Sequence, residues 1–180
     1  MIAMLTIGSI WKIVDLARAP HDRVLQALVA CLLLLTVGEV LSFPEVNRFV
    51  DAFTAVGVGK IAFNAIYMSG LGALVLFFSS SMRGANATYQ RQLWINVGLL
   101  AGTLLALVIS MIATPAAMRD HTLSTPYVQS AIAWFYVIGN TYFVYAYLIS
   151  GLWALRYARM ASQHLALGLR TATLGLFGLA

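Results

Sequence analysis

The polar positions of this chain are gathered into short breaks between long apolar runs. Charge-free runs cover 24–38, 61–82, 92–118 and 121–155, and a last apolar stretch runs from 165 to the end. A helix needs roughly 20 apolar residues to cross ~30 Å of hydrocarbon. The second and third runs meet that length unaided. The first reaches it by extending through Glu39 to Phe43, and the fourth is long enough to tilt or protrude. The pattern predicts spans at about 24–43, 60–80, 93–114 and 128–155. Residues 1–17 are apolar except for Lys12 and Asp15, and they lack the basic start and small-residue cleavage site of a signal peptide. With 164–180 they read as partial spans, as if the chain were clipped at both ends. The expected fold class is all-α: one integral membrane domain, a polytopic bundle of four full spans flanked by two short apolar segments.

One stretch has a different period. Val46, Phe49, Val50 and Phe53 follow each other at i, i+3, i+4 and i+7, with Glu45, Arg48 and Asp51 on the other side. Ser42 and Glu45 have capping-box spacing, and Pro44 sits near a first turn, where its missing donor costs little. These features predict an amphipathic helix at about 43–54, lying along the outer membrane surface. Gly57 and Gly59 then release the chain into the next span.

Composition sharpens the membrane reading. Hydrophobic residues make up 61% of the 180, and charged residues only 9%. Soluble domains carry about 25% charged residues, so a soluble globule, a disordered chain and a nucleic-acid binder are all poor readings. The net charge of +5 reflects loop placement. Lys12, Arg18, Arg23, Arg83, Arg91, Arg156, Arg159 and Arg170 fall on or near one side, and only Arg48, Lys60 and Arg119 on the other. The positive-inside rule then makes loops 18–23, 81–92 and 156–164 cytoplasmic, in a bacterial plasma membrane. The bilayer itself is the first expected partner. Other membrane proteins or further copies of the chain, and a small hydrophobic ligand, are the remaining ones.

Candidate chemistry is sparse. Cys31 is the only cysteine and lies within an apolar run, where a thiol is usually a small hydrophobe. His21, His121 and His164 fall in loops, with no facing pair to hold haem or metal. No metal, cofactor or catalytic set is expected, and the chain does not read as an enzyme. Polar stripes are the more informative signal. Asn64 and Tyr67 share one span; Tyr136, Asn140 and Tyr147 share another. They either hydrogen-bond between helices or line a ligand pocket. Glu39, the one carboxylate inside a full span, is a functional candidate by its cost of burial, although ion pairing with Lys60 near the interface would also account for it. On the third full span, Gly98 and Gly102 form a GxxxG pair, and Asn96, Thr103 and Ser110 recur every seven residues. These five are expected to pack helices.

Four segments together resemble a known family: RAPHDR from Arg18 to Arg23, SFPEVNRFVD from Ser42 to Asp51, GVGKIAFN from Gly57 to Asn64, and HLALGLR from His164 to Arg170. They look like the membrane half of an actinobacterial multi-pass family, labelled as transporters or left without assigned function, and similar to the seven-helix sensor regions of bacterial histidine kinases. The resemblance implies a bundle of about seven helices, of which this chain would hold five and part of a sixth. It supplies no catalytic residues. The expected function is a non-enzymatic sensory or regulatory module binding a small apolar or amphipathic ligand through Glu39, Asn64, Tyr67, Tyr136, Asn140 and Tyr147. The alternatives are a transporter component and a structural or accessory subunit of a larger membrane complex.

Overall fold

The computed structural model describes residues 2–82, 87–120, 130–159 and 173. The elements are α1 (Ile2–Arg18), α2 (Arg23–Leu41), α3 (Pro44–Phe53), α4 (Val58–Met82), α5 (Ala87–Ala113) and α6 (Ser130–Ala158), with a single 3-10 turn at Ala116–Met118. Among the described residues there are no strands. Four helices, α2, α4, α5 and α6, are long and apolar enough to cross a membrane. They lie on the four charge-free runs. The N-terminal segment is helical as well, but its 17 residues extend only ~26 Å at 1.5 Å per residue. Most of the C-terminal apolar segment lies outside the described residues; Thr173 within it is helical and buried.

The helices are arranged around α4, which packs against α2, α3, α5 and α6, whereas α1 packs mainly against α2. One core joins α4, α5 and α6 through Met68, Leu71, Val75, Leu107, Met111, Phe135 and Tyr142. A smaller cluster of Phe78, Trp153 and Ala154 closes the end remote from α3. Large apolar side chains on the other faces, including Leu33, Val37, Leu105, Ile109, Ile112, Trp134 and Leu152, are exposed over the full length of the helices. Such a belt is unsuited to water and suited to lipid.

Glycine sets the distance between α2 and α4. A Cβ added at Gly38 would lie 2.9 Å from Tyr67 Cδ2 and 3.2 Å from its Cα. One added at Gly70 would lie 3.0 Å from Leu35 Cγ and 3.1 Å from its backbone nitrogen. Each helix thus lends a glycine to the other, and the backbones approach as close packing in lipid favours. Gly98 and Gly102, expected to do this, do not do so among the described residues: nothing there lies within 4 Å of a Cβ at either position. They are on the back of α5, because its packed face carries Asn96, Leu107 and Met111 instead.

The α3 end is tied by hydrogen bonds to free helix termini. Asn47 Nδ2 donates to the Leu41 carbonyl at the end of α2. Asp51 accepts from the backbone N–H of Gly57 at 3.0 Å and of Gly59 at 2.7 Å, capping α4 from the preceding helix. Arg119 Nε donates to the Thr114 carbonyl at the end of α5 (2.9 Å). The capping box expected at Ser42 is not formed. Only Ser42 and Phe43 separate α2 from α3, so Ser42 is spent on closing α2: its hydroxyl donates to the Glu39 carbonyl at 2.7 Å. The N-cap position of α3 falls on Phe43, with no side-chain bond, and Pro44 opens the helix as expected. Asp51 turns toward α4 rather than staying on a solvent face, while the Phe49 and Phe53 rings meet tilted, with centroids 4.7 Å apart, and stand 65% and 76% exposed.

This packing predicts opposite outcomes for two pairs of glycines. Gly70→Leu or Gly38→Leu is expected to cost about 1–3 kcal/mol through overpacking, read as earlier thermal unfolding in detergent. Gly98→Leu and Gly102→Leu should stay within about 0.5 kcal/mol of the parent.

Candidate functional site

Polar side chains on α4 and α6 face each other near the α3 end. On α4, Lys60, Phe63, Asn64 and Tyr67 recur every three or four residues and so share a stripe. On α6, Tyr136, Asn140, Phe143 and Tyr147 do the same. Gly139 lets the two helices close: a Cβ there would meet Asn64 Oδ1 at 3.3 Å. Asn64 is buried and anchored by donating Nδ2 to the Lys60 carbonyl at 2.8 Å. That bond leaves Oδ1 aimed across at α6.

Between the stripes lies a cleft of about 200 Å³, lined by Lys60, Phe63 and Asn64 from α4 and by Phe135, Tyr136, Asn140 and Phe143 from α6. Tyr136 is half-buried, edge-on to Phe135 at 5.5 Å, and Asn140 is exposed at the mouth. Tyr67 and Tyr147 lie one turn further into the bundle. Their hydroxyls share a hydrogen bond at 3.1 Å, and Tyr67 meets Phe143 edge-on at 5.6 Å. The cleft is therefore aromatic along its length, amide-bearing at its centre and cationic at one end.

Of the six side chains expected to bind a ligand, Asn64, Tyr136 and Asn140 line this cleft. Tyr67 and Tyr147 form the hydroxyl pair beyond it. Glu39 does not line it: it sits on α2 next to the Gly38–Tyr67 contact, within electrostatic range of Tyr147. Lys60 reaches elsewhere than to Glu39. Its Nζ donates to the Arg119 carbonyl at 2.8 Å, and Asp51 and Asp120 are its neighbouring carboxylates. As a lining residue Lys60 was not anticipated; the available signal was its i, i+4 spacing to Asn64.

The expected packing residues divide in the same way. Asn96 accepts a 2.6 Å hydrogen bond from the Tyr145 hydroxyl and so joins α5 to α6. Thr103 and Ser110 return their hydroxyls to carbonyls of their own helix, at Leu99 and Ala106. The Ser9 and Thr36 hydroxyls share a further interhelical bond, at 3.1 Å, between α1 and α2. Among the described residues no group of three His, Cys, Asp or Glu side chains is placed to hold a metal ion. The chain matches no protein-family model, no curated protein and no solved structure.

The geometry at Asp51 makes a graded prediction. Asp51→Asn keeps one acceptor for the start of α4, and Asp51→Ala keeps none. Stability is expected to fall in that order, by about 1 kcal/mol and then about 2 kcal/mol. Amide hydrogen exchange at Gly57 and Gly59 should accelerate in parallel; unchanged exchange in Asp51→Ala would remove the cap.

Proposed function

We propose that the protein is a multi-pass module of a bacterial plasma membrane that binds a small amphipathic molecule in the α4–α6 cleft and relays its occupancy to the bundle. The reading rests on one observation: Asn64, Tyr136 and Asn140, from two different helices, meet in a single cleft that also holds Lys60. Ligand sites are typically apolar concavities with a few convergent polar groups, and this cleft has that make-up. The orientation read from the basic residues puts α3 and the mouth of the cleft outside, with loops 18–23, 81–92 and 156–164 in the cytoplasm.

Relay is supported by Lys60, which lines the cleft and also donates to the Arg119 carbonyl beyond α5. Sensing also accords with the resemblance to kinase sensor regions. The open face around Gly98 and Gly102 favours a second reading, in which α5 packs on another membrane protein and the chain is an accessory subunit.

A photoreactive fatty alcohol in nanodiscs tests the cleft directly. Labelling is expected to concentrate on peptides carrying Phe63 and Phe143, and to drop several-fold in Asn140→Trp, which fills the mouth. Labelling spread evenly over the lipid-facing surface of α5 and α6, and unchanged by that substitution, would overturn the proposal.

A further inference from the structure

Lys12 and Asp15 are one turn apart on α1, and the Lys12 ammonium donates to Asp15 Oδ2 at 2.8 Å. Their depth is set by α2. The turn at 19–22 folds α1 back along α2, and the Ser9 and Thr36 hydroxyls, bonded at 3.1 Å, fix the register. Thr36 lies about 20 Å along α2 from Arg23, so Lys12 and Asp15, nearer the turn, lie about 15 and 10 Å from that end. With ~30 Å of hydrocarbon to cross from Arg23, the ion pair stands near the middle of the span. Charges at that depth are rare, and they face other protein or a water-filled cavity. Because α1 takes no part in the aromatic slot between α4 and α6, that site does not account for the pair.

The helix period shows which face carries the charges. At about 100° per residue, Met4, Gly8, Trp11, Lys12 and Asp15 fall within about 100° of one another, and Ser9, against α2, lies to one side. Their spacing of three and four residues is that of a helix–helix seam. The Lys12 and Asp15 side chains are 39% and 30% exposed, and Trp11 and Met4 more so. Among the described residues nothing lies within 4 Å of a Cβ at Gly8, in the middle of the stripe. The adjoining face, where Ile7, Ile10 and Val14 are exposed, is apolar and suits lipid. Lipid chains over the Gly8 stripe would instead leave two charges in hydrocarbon with no partner beyond each other.

We infer that this stripe docks a second copy of the chain, α1 against α1, about a two-fold axis along the membrane normal. Copies inserted in the same direction present the same residues at the same depth, so the interface is self-complementary. Lys12 of each copy then lies opposite Asp15 of the other. Their offset of about 4.5 Å along the axis is within reach of a lysine side chain. Each ammonium gains a second carboxylate and each carboxylate a second ammonium, a closed set of four charges that neither lipid nor a helix charged with one sign supplies. Gly8 lets the two backbones approach, and Met4 and Trp11 close the seam above and below it. The surface is independent of the slot, and the two readings stand or fall separately.

The test uses the full chain at low density in vesicles of neutral lipid. Fluorophore photobleaching of the parent is expected to proceed in two steps, and single-step bleaching would overturn the proposal. Lys12→Asp and Asp15→Lys set like charges across the axis, and each should weaken dimerisation about tenfold, the equivalent of one charge-assisted hydrogen bond. Mixed together in two colours, the two variants should pair with each other at the parent level. A pair that only braces its own helix would show no such recovery, because neither chain can remake it alone. Oxidative cross-linking in a Cys31→Ala background does not depend on the charge variants folding. Gly8→Cys is expected to cross-link several-fold faster than Thr6→Cys, which is exposed on another face of α1. Equal rates at the two positions would remove α1 as the interface.

Discussion

Where α2 stops and α4 starts, backbone carbonyls and amides have no intrahelical partners, and close to a bilayer water is a poor substitute. The side chains of α3 supply what is missing. Asn47 closes the end of α2, and Asp51 closes the start of α4, within a single turn of one ten-residue helix. Gly57, at φ +94°, makes the turn that brings the α4 amides back to Asp51. The position of α4 follows from this corner, and α4 is the helix that α2, α5 and α6 pack upon. The depth of every facing pair, from Lys60 and Tyr136 to Phe78 and Trp153, is therefore referred to the corner.

The second constraint is lateral. Gly38 and Gly70 let α2 and α4 approach backbone to backbone, which leaves Tyr67 lying along α2 with its hydroxyl free to reach α6. On the α6 side, aromatic and amide side chains separate the helices except at Gly139. Close contact on one flank and a wider gap on the other produce the slot. It is a result of unequal side-chain sizes around a single hub helix, not of a closed ring of equivalent helices.

The four long helices were legible because crossing hydrocarbon is a one-dimensional requirement: length and absence of charge are enough to meet it. The amphipathic period of α3 was legible for a similar reason, and so was the meeting of Asn64 with Tyr136 and Asn140, since each stripe is polar where lipid would exclude it. Gly98 and Gly102 show the limit of that logic. A glycine has the same sequence signature on a packed face as on a bare one, and only the placement of neighbours such as Leu107 and Met111 separates the two. Ser42 shows another limit, because a hydroxyl between two helices can close the first or open the second. Asp51 was read as a surface charge because its partners lie six and eight residues onward, across a turn that has no repeating period.

Lys60 has a thermodynamic consequence of its own. One side chain borders the slot and holds the carbonyl of Arg119, whose guanidinium in turn closes α5. Any occupant that draws the ammonium toward itself must weaken its hold on that carbonyl. If the slot binds a ligand as proposed, linkage makes the relation reciprocal: whatever displaces the turn after α5 changes the affinity of the slot by the same factor. Tension or a neighbouring protein acting on that turn would then tune what the slot binds, without touching the slot.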